Sequence, residues 1–291
     1  MSLFPWILAA RPRTLPAAVM PVVVGSAIAG NVGGFQWIPA TLCGLFAVLV
    51  QIGTNYANDY YDWKQGADSP HRIGPTRAVA SGLLPPRVMR AGAFAALGLA
   101  FACGLFLVAW GGWWLVAVGV LSVLSGLAYT AKPVALGYRG LGDVFVIAFF
   151  GLIAVSVTTF VQTGTFPFLV WPAGLAVGLL ANNLLVVNNY RDRESDMDAG
   201  KRTVVVRFGP QFGECLVLTS IAVSALLCLG LALLADQWTA LIALPGLVPV
   251  YRVWRRMPRA LRRDGFDRLL RKSAAGLIAY SLLLSVGLVL A

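Results

Sequence analysis

Long apolar runs are the feature that most restricts how this 291-residue chain can fold. Nine of them approach or reach the length of about 20 apolar residues that crossing a bilayer requires. Inside lipid the backbone must satisfy its own hydrogen bonds, so continuous runs of this length predict helices, whereas barrel strands would alternate over about ten residues. The nine predicted spans cover residues 14–31, 38–60, 88–109, 112–130, 142–162, 168–190, 212–235, 238–253 and 273–290.

The charged residues are few, and the basic ones are sorted to one side of the predicted bundle. They make up 12% of the chain, against about 25% in soluble domains. The 23 Lys and Arg residues lie before the first span or around the loops after the second, fourth, sixth and eighth. By the positive-inside rule that side is the cytoplasm. Topology therefore explains the net charge of +11 better than nucleic-acid binding does.

These patterns predict an all-α membrane protein of the cell (inner) membrane. We expect one domain, residues 1–291, in which nine transmembrane helices surround a central cavity and the amino terminus is cytoplasmic. A single histidine and four cysteines without a CxxC pair leave no His/Cys metal site. The acidic residues, most of which form two clusters after the second and sixth spans, are the remaining candidates for polar chemistry.

The first cluster follows the second span. Asn55, Asn58, Asp59 and Asp62 are spaced i, i+3, i+4 and i+7, which places them on one face of a helix. Carboxylate and amide oxygens are the hard ligands that Mg²⁺ prefers. Carboxylates at the end of a membrane span are costly unless they are paired or functional. The cluster therefore predicts a magnesium site at the cytoplasmic end of the bundle.

The second cluster follows the sixth span. Asn188, Asp192 and Asp196 repeat at i, i+4 and i+8, and the Asn-xxx-Asp element also joins Asn55 to Asp59. The two clusters lie about half a chain apart, which suggests two similar halves whose sites face each other. Two carboxylate-rich faces can hold Mg²⁺ ions that in turn bind a diphosphate.

Basic residues near both clusters could bind the remaining phosphate oxygens. We expect such a clamp to come from three cytoplasmic loops, and we assign the basic residues of the segment 252–272 to topology. Once metal ions and cations neutralise the leaving group, an allylic diphosphate could ionise to a carbocation inside an apolar pocket. Aromatic rings can stabilise such a cation, and Phe149, Phe150 and Phe160 are candidates for this role. An electron-rich aromatic acceptor would then attack the cation. The predicted clamp residues are Arg72, Arg77, Lys132, Lys201 and Arg202.

These motifs resemble those of the UbiA-type intramembrane aromatic prenyltransferases. The segment NDYYD (58–62) with Asp68, and the later Asp192-xxx-Asp196, are similar to the paired aspartate motifs of that superfamily. Finer features resemble the branch that prenylates 1,4-dihydroxy-2-naphthoate in menaquinone synthesis. These features are RPRTLP (11–16), DSPHRIGPTR (68–77), LGYRGLG (136–142) with FFG (149–151), NNYRD (188–192) and GKRTVVVRFG (200–209).

The resemblance implies a reaction and a set of residues. A polyprenyl diphosphate and 1,4-dihydroxy-2-naphthoate would combine with loss of diphosphate and CO₂, giving demethylmenaquinol, with Mg²⁺ as cofactor. The implied catalytic metal ligands are Asp59, Asp62, Asp192 and Asp196. The implied substrate-binding residues are Asn55, Asn58, Asp68, Arg72, Arg77, Tyr129, Lys132, Asn188, Lys201 and Arg202.

Other functions stay open at this stage. The stretch VTTF (157–160) departs from the Gly-Thr-Tyr-Tyr-like pattern of the branch, so another acceptor, such as 4-hydroxybenzoate or haem B, is an alternative. A phytyl donor on the same acceptor would serve phylloquinone synthesis. From a different class, a cation-coupled transporter would also place carboxylates inside a bundle. Its acids, however, would be expected near the midplane and not at one cytoplasmic end.

Overall fold

The computed structural model describes residues 2–67, 74, 76–260 and 263–291. Over these residues the chain is helical and contains no strand. The predicted substrate-binding residues Asp68 and Arg72 lie outside the described part of the chain. The α-helices are α1 (Phe4–Ala10), α2 (Leu15–Asn31), α3 (Trp37–Lys64), α4 (Pro86–Phe106), α5 (Val108–Gly111), α6 (Trp114–Ala128), α7 (Gly142–Ile147), α8 (Ala154–Thr163), α9 (Val170–Arg191), α10 (Arg193–Asp198), α11 (Val204–Phe208), α12 (Pro210–Leu234), α13 (Val248–Arg256) and α14 (Arg263–Leu290).

Every predicted apolar run is helical, but the runs differ in how fully they could cross a membrane. Within the described residues, seven continuous helical stretches are long and apolar enough to do so. The fourth predicted span corresponds to the shorter α6, and the eighth to a 3₁₀ helix, Trp238–Leu247, that continues into α13. The all-helical, multi-pass architecture is therefore confirmed, whereas the number of nine spans and the cytoplasmic amino terminus stay predictions.

The eighth predicted span is short in residues because half of it is wound as a 3₁₀ helix. Such a helix rises about 2.0 Å per residue against about 1.5 Å in an α-helix, so its ten residues reach further than ten α-helical ones. Pro245 lies within this segment and has no backbone N–H to donate. The segment packs along α14 and α12.

Helix α9 is the most enclosed of the long helices and lies at the centre of the largest apolar core. It packs against α12, α14 and α2, and against the π-helical turn Ala148–Ile153 that joins α7 to α8. The approach of that turn is close because glycines meet there. A Cβ at Gly151 would lie 2.5 Å from the carbonyl oxygen of Gly174 and 2.6 Å from the Cα of Gly178.

The amino-terminal segment bends sharply before it enters the bundle. Arg11 adopts a left-handed conformation with φ of 51°, between α1 and a short 3₁₀ turn that leads into α2. Helix α1 lies across α3, and the Trp6 ring packs edge-on against Tyr56 with ring centroids 5.2 Å apart. The bend turns the Arg11 side chain toward the interior of the bundle.

Candidate active site

A cavity of about 620 Å³ lies inside the bundle. Its polar residues are concentrated at the end where α3 and α9 finish, and the rest of its wall is mainly aliphatic and aromatic. We call the polar part the charged end. An apolar chamber with a charged end can hold a substrate with a long apolar tail and an anionic head. Apolar wall residues include Val22, Phe46, Val50, Leu107, Leu115, Phe149 and Ile153.

Asp62 is the acid of the first cluster that faces the cavity. It is 3% exposed and lies near the carboxyl end of α3. One carboxylate oxygen pairs with the Arg77 guanidinium at 2.8 Å. The other accepts a hydrogen bond of 3.1 Å from the Tyr138 hydroxyl and lies 3.3 Å from the Lys201 ammonium. Three partners from three different loops therefore converge on one carboxylate.

Asp59 has a different environment from Asp62. Its two carboxylate oxygens accept hydrogen bonds from the backbone amides of Ala78 (3.1 Å) and Val79 (2.9 Å), and it is 1% exposed. It is not among the residues that line the cavity, whereas Asn58, about 100° away around the helix, is. Asp59 therefore anchors the loop that carries Arg77, and its assignment as a metal ligand stays a prediction.

The second cluster straddles a helix end. Helix α9 ends at Arg191, Asp192 has non-helical backbone angles, and α10 begins at the next residue. The Arg191 guanidinium makes two hydrogen bonds of 2.7 Å to the two carboxylate oxygens of Asp192. Such a bidentate pair fixes the orientation of the carboxylate. Both residues are buried and both line the cavity.

Lys201 joins the two clusters. Its ammonium lies 3.3 Å from a carboxylate oxygen of Asp62 and 3.7 Å from one of Asp196. It also lies 4.8 Å from the centre of the Tyr138 ring. Asp62 and Asp196, which are about half a chain apart in sequence, therefore lie on two sides of one ammonium at the charged end.

Local backbone contacts explain why Lys201 reaches this position. Gly200 adopts a positive φ of 73° at the end of α10, and the Lys201 amide bonds the Asp196 carbonyl at 2.7 Å. The next amide, of Arg202, bonds the Tyr138 carbonyl at 2.9 Å. Thr203 then caps α11 by accepting a hydrogen bond of 3.3 Å from the Val206 amide. The Gly-Lys-Arg-Thr segment is thus tied to both α10 and the 136–139 turn.

The three predicted asparagines lie on the cavity wall. Asn55 donates to the Ala10 carbonyl at 2.8 Å, which holds the amino-terminal bend against α3. Asn58 accepts a hydrogen bond from the Thr130 hydroxyl. The Asn188 amide nitrogen donates to the Leu184 carbonyl at 2.8 Å, one turn earlier in α9.

Tyr129 follows the last residue of α6 and faces the cavity as predicted. Its phenolic O–H can donate a hydrogen bond to an anion in the cavity.

Two of the predicted clamp residues lie away from the cavity. Lys132 and Arg202 are exposed, and neither is among the lining residues. Arg77 and Lys201 do line the charged end. Of the aromatic candidates, Phe149 and Phe150 lie in the π-helical turn and line the cavity, whereas Phe160 does not and packs in an aromatic cluster with Trp114 and Phe166.

Three further residues at the charged end were not singled out from the sequence as site residues. They are Arg11, Tyr138 and Arg191, all of which line the cavity. Each lies inside a segment that carried the family resemblance, at 11–16, 136–142 and 188–192. That resemblance could have found all three, and Arg191 also lies three residues after Asn188, on the same face of α9.

Oxygen ligands for a divalent cation are present at the charged end. Asp62, Asp192 and Asp196 provide carboxylates, and Asn58 and Asn188 provide amides. Within the described residues, no three His, Cys, Asp or Glu side chains converge closely enough to hold a metal ion on their own. Because Mg²⁺ usually keeps waters and shares phosphate oxygens, this donor set fits a metal bound together with a phosphate group.

Comparison with known families assigns the chain to a class of enzymes. The model of the UbiA prenyltransferase family matches residues 18–287. The chain therefore belongs to the UbiA prenyltransferase family and is a multi-pass membrane prenyltransferase, which confirms the resemblance seen in its motifs. This membership favours an enzyme over the cation-coupled transporter.

Two relatives that share one name are similar to this chain over nearly its whole length. The 1,4-dihydroxy-2-naphthoate octaprenyltransferase of Mycobacterium tuberculosis is 36% identical over an alignment of 284 positions that covers 94% of this chain and 97% of the relative. The protein of the same name from Escherichia coli is 36% identical over an alignment of 297 positions that covers 98% of this chain and 95% of the relative.

Solved structures share the fold at low identity. The UbiA homolog from Archaeoglobus fulgidus bound to DMAPP and Mg²⁺ is 17% identical, with a TM-score of 0.62 over 97% of this chain and 99% of that one. The apo UbiA homolog from Aeropyrum pernix K1 is 14% identical, with a TM-score of 0.68 over 93% and 97%. These likenesses establish the fold.

Proposed function

We propose that the enzyme transfers a polyprenyl group from an allylic diphosphate to 1,4-dihydroxy-2-naphthoate, with release of diphosphate and CO₂ and formation of demethylmenaquinol. The observation that carries the proposal is the Lys201 ammonium held between Asp62 and Asp196 at the charged end of an apolar cavity. Relatives named 1,4-dihydroxy-2-naphthoate octaprenyltransferase support the choice of acceptor.

The charge balance of the cavity supports a requirement for Mg²⁺. The cavity is lined by five basic residues and four carboxylates, so the excess of positive charge is small against the several negative charges of a diphosphate. Bound Mg²⁺ would supply further positive charge and stabilise the departing diphosphate. A UbiA homolog bound to DMAPP and Mg²⁺ supports the same requirement. The basic residues are Arg11, Arg13, Arg77, Arg191 and Lys201, and the carboxylates are those of Asp62, Asp192, Asp196 and Asp267.

The chain's own residues take distinct parts in the proposed reaction. Asp62, Asp192 and Asp196 are the carboxylates placed to hold Mg²⁺, with Asn58 and Asn188 beside them. Arg77, Lys201 and the Tyr129 hydroxyl would donate to phosphate oxygens. The hydrogen bonds from these donors strengthen as negative charge develops on the leaving diphosphate, so they stabilise the transition state more than the ground state. The assignment of Asp59 as a metal ligand stays a prediction that its contacts with the loop do not support.

The apolar part of the cavity would receive the prenyl chain and exclude water from the cation. The allylic C–O bond breaks with its electron pair on the diphosphate, and an electron pair of the naphthoate ring forms the new C–C bond. The carboxylate leaves as CO₂, and the electron pair of the broken C–C bond stays with the ring. The overall reaction therefore needs no oxidant or reductant. The stacked rings of Phe145 and Phe149, with centroids 5.9 Å apart, line the wall and offer π faces to a cation.

Product analysis tests the proposal directly. Purified enzyme would be incubated with Mg²⁺, a series of prenyl diphosphates, and 1,4-dihydroxy-2-naphthoate in competition with 4-hydroxybenzoate. We expect mass spectrometry to show a prenylated naphthalenediol that has lost the carboxylate, and no product once a chelator removes Mg²⁺. A prenylated 4-hydroxybenzoate that keeps its carboxylate would instead support the alternative acceptor.

We also propose that the charged end opens toward the cytoplasm. The support is the sorting of the basic residues, nearly all of which lie in loops on the side of the two aspartate clusters. Reporter fusions placed after Ala291 and within residues 256–260 should report opposite compartments, with the second in the cytoplasm. If both fusions report the same compartment, the proposed topology is wrong.

A further inference from the structure

A second, smaller cavity of about 270 Å³ lies beside the start of α14. Four of the residues that line it are cations, and the remaining ones include Gly265 and Leu269. We call it the basic cavity. None of its lining residues belongs to the wall of the active-site cavity. Its cations are Arg256, Arg259, Arg268 and Lys272.

The convergence of these four cations has no compensating partner within the described residues, where no ion pair joins any of them to a carboxylate. Asp267, which is close in sequence, pairs instead with Arg13 at 2.9 Å and faces the active-site cavity. Arg256, Arg259 and Arg268 are exposed, so water screens part of their mutual repulsion, and an anion bound among the four cations would lower the remainder. The positive-inside rule requires basic residues in this loop but does not require them to surround a cavity.

The basic cavity lies at the start of α14, a helix that is long and apolar enough to cross a membrane. Lys272 is half-buried on α14, whose following residues form an apolar span. On α13, Tyr251 and Trp254 pack with ring centroids 5.7 Å apart, and Arg255 directly follows Trp254. Aromatic pairs of this kind are enriched at the lipid headgroup level. A ligand at this depth is therefore within reach of the bilayer surface.

We propose that the basic cavity binds the phosphate headgroup of an anionic membrane phospholipid. The guanidinium groups of Arg256, Arg259 and Arg268 can donate several hydrogen bonds to phosphate oxygens, and Lys272 adds a point charge. Clusters of basic residues beside a membrane span are typical of anionic-lipid recognition. The apolar side chain of Leu269, which is 3% exposed, lies at the base of the cavity.

The site is separate from the one that would hold the prenyl diphosphate. Two turns of α14 present Asp267 and Leu270 to the active-site cavity, whereas Arg268, Leu269 and Lys272 line the basic cavity. One helix therefore stands between the two cavities. Binding at the basic cavity can be measured without reference to turnover, so the outcome does not depend on the proposed reaction.

Native mass spectrometry of the full-length protein in neutral detergent tests the inference. Neutral detergent has no charged bilayer surface, so a lipid that stays bound in the mass spectrum is held by contacts with the protein itself. The probes are phosphatidylglycerol and, as a zwitterionic phosphate of similar size, phosphatidylcholine. The test variant is R259Q/R268Q, and the matched control is R255Q/R271Q, which removes the same charge from neighbouring exposed positions that do not line the cavity.

We expect wild type and the control to bind phosphatidylglycerol in preference to phosphatidylcholine. Binding of phosphatidylglycerol should weaken at least about tenfold in R259Q/R268Q and less than about threefold in the control. An equal loss in both variants would show diffuse attraction and overturn the site, as would equal binding of the two lipids by wild type. If R259Q/R268Q aggregates, K272Q alone should show the same direction of change.

A competition arm separates a lipid headgroup from a free phosphate ligand. Inorganic diphosphate in excess is added to the wild-type complex with phosphatidylglycerol. We expect the lipid adduct to persist, because its acyl chains add apolar contacts that a free anion lacks. Displacement of the lipid by inorganic diphosphate would mean that the basic cavity takes a soluble phosphate and would overturn the proposal.

Discussion

The two aspartate clusters look alike in sequence but are supported in different ways. In the first, both acids lie on one uninterrupted helix and depend on distant residues: Asp59 holds the amides of Ala78 and Val79, and Asp62 pairs with Arg77. In the second, Asp192 lies at a helix end and is held by its neighbour Arg191. A repeated Asn-xxx-Asp element therefore does not imply a repeated structure.

This difference shows how the chain assembles one charged end from unlike parts. In the second cluster, the Asp192 carboxylate is oriented by Arg191, the residue directly before it in the sequence. The first cluster has its orientation only when the loop at 77–79 and the turn at 136–139 are in place. Lys201 then connects the two clusters. Substitutions that remove one of these contacts at a time should therefore have different effects on turnover and stability in the two clusters.

The largest effects should come from the acids that face the cavity. We expect Asp62→Asn and Asp192→Asn each to lower kcat by at least about a hundredfold, because each removes a charge proposed to hold Mg²⁺ near the leaving group. Both variants should elute as the wild type does in size-exclusion chromatography. The exposed Asp264→Asn is the matched control and should keep wild-type kinetics. Near-normal turnover in either test variant would remove that residue from the metal site.

Removal of the cation between the clusters should have the next largest effect. Lys201→Met keeps an unbranched side chain, one atom shorter, but loses the ammonium and its contacts with Asp62 and Asp196. Hydrogen bonds to charged groups contribute about 1.5–3 kcal/mol, so kcat/KM should fall about tenfold to a hundredfold. Lys132→Met, at an exposed position outside the cavity, should stay within about twofold of wild type. Equal losses in the two variants would contradict the placement of the clamp.

Arg77→Lys tests whether the first cluster needs the shape of its cation or only the charge. Arg77 is 7% exposed and bonds Asp62 at 2.8 Å, and lysine cannot reproduce the planar array of donors. We expect kcat to fall about tenfold with a smaller change in KM, since the contact should strengthen as diphosphate leaves. The exposed Arg255→Lys should be silent. Wild-type kinetics for Arg77→Lys would show that charge alone suffices.

The smallest effect on turnover should come from Asp59→Asn. One oxygen remains to accept from the loop, but the new amide nitrogen cannot accept the second hydrogen bond. We expect a loss of stability of about 1–3 kcal/mol, seen as a lower Tm, and less than about a fivefold loss in kcat. If kcat falls as far as it does in Asp62→Asn while the Tm is unchanged, Asp59 acts as a metal ligand and not as an anchor for the loop.

The sequence by itself determined the helical, membrane-spanning class of the protein and the residue types at its charged end. Apolar run length and helical period are local properties, so they located the apolar helical segments, and they placed Asn55, Asn58, Asp59 and Asp62 on one stripe of α3. The family motifs determined the class of reaction, because motif residues are recognisable without knowledge of their partners.

Only the tertiary structure decided which acids face the cavity and which cations reach them. Asp59 and Asp62 lie one turn apart on α3, and the path of the loop at 77–79 separates their environments. The Tyr138 hydroxyl reaches Asp62 from 76 residues away. Likewise, the helix packing at α13 and α14 turns a basic loop into a cavity. Such contacts depend on how separate elements pack, and no local period in the sequence encodes that packing.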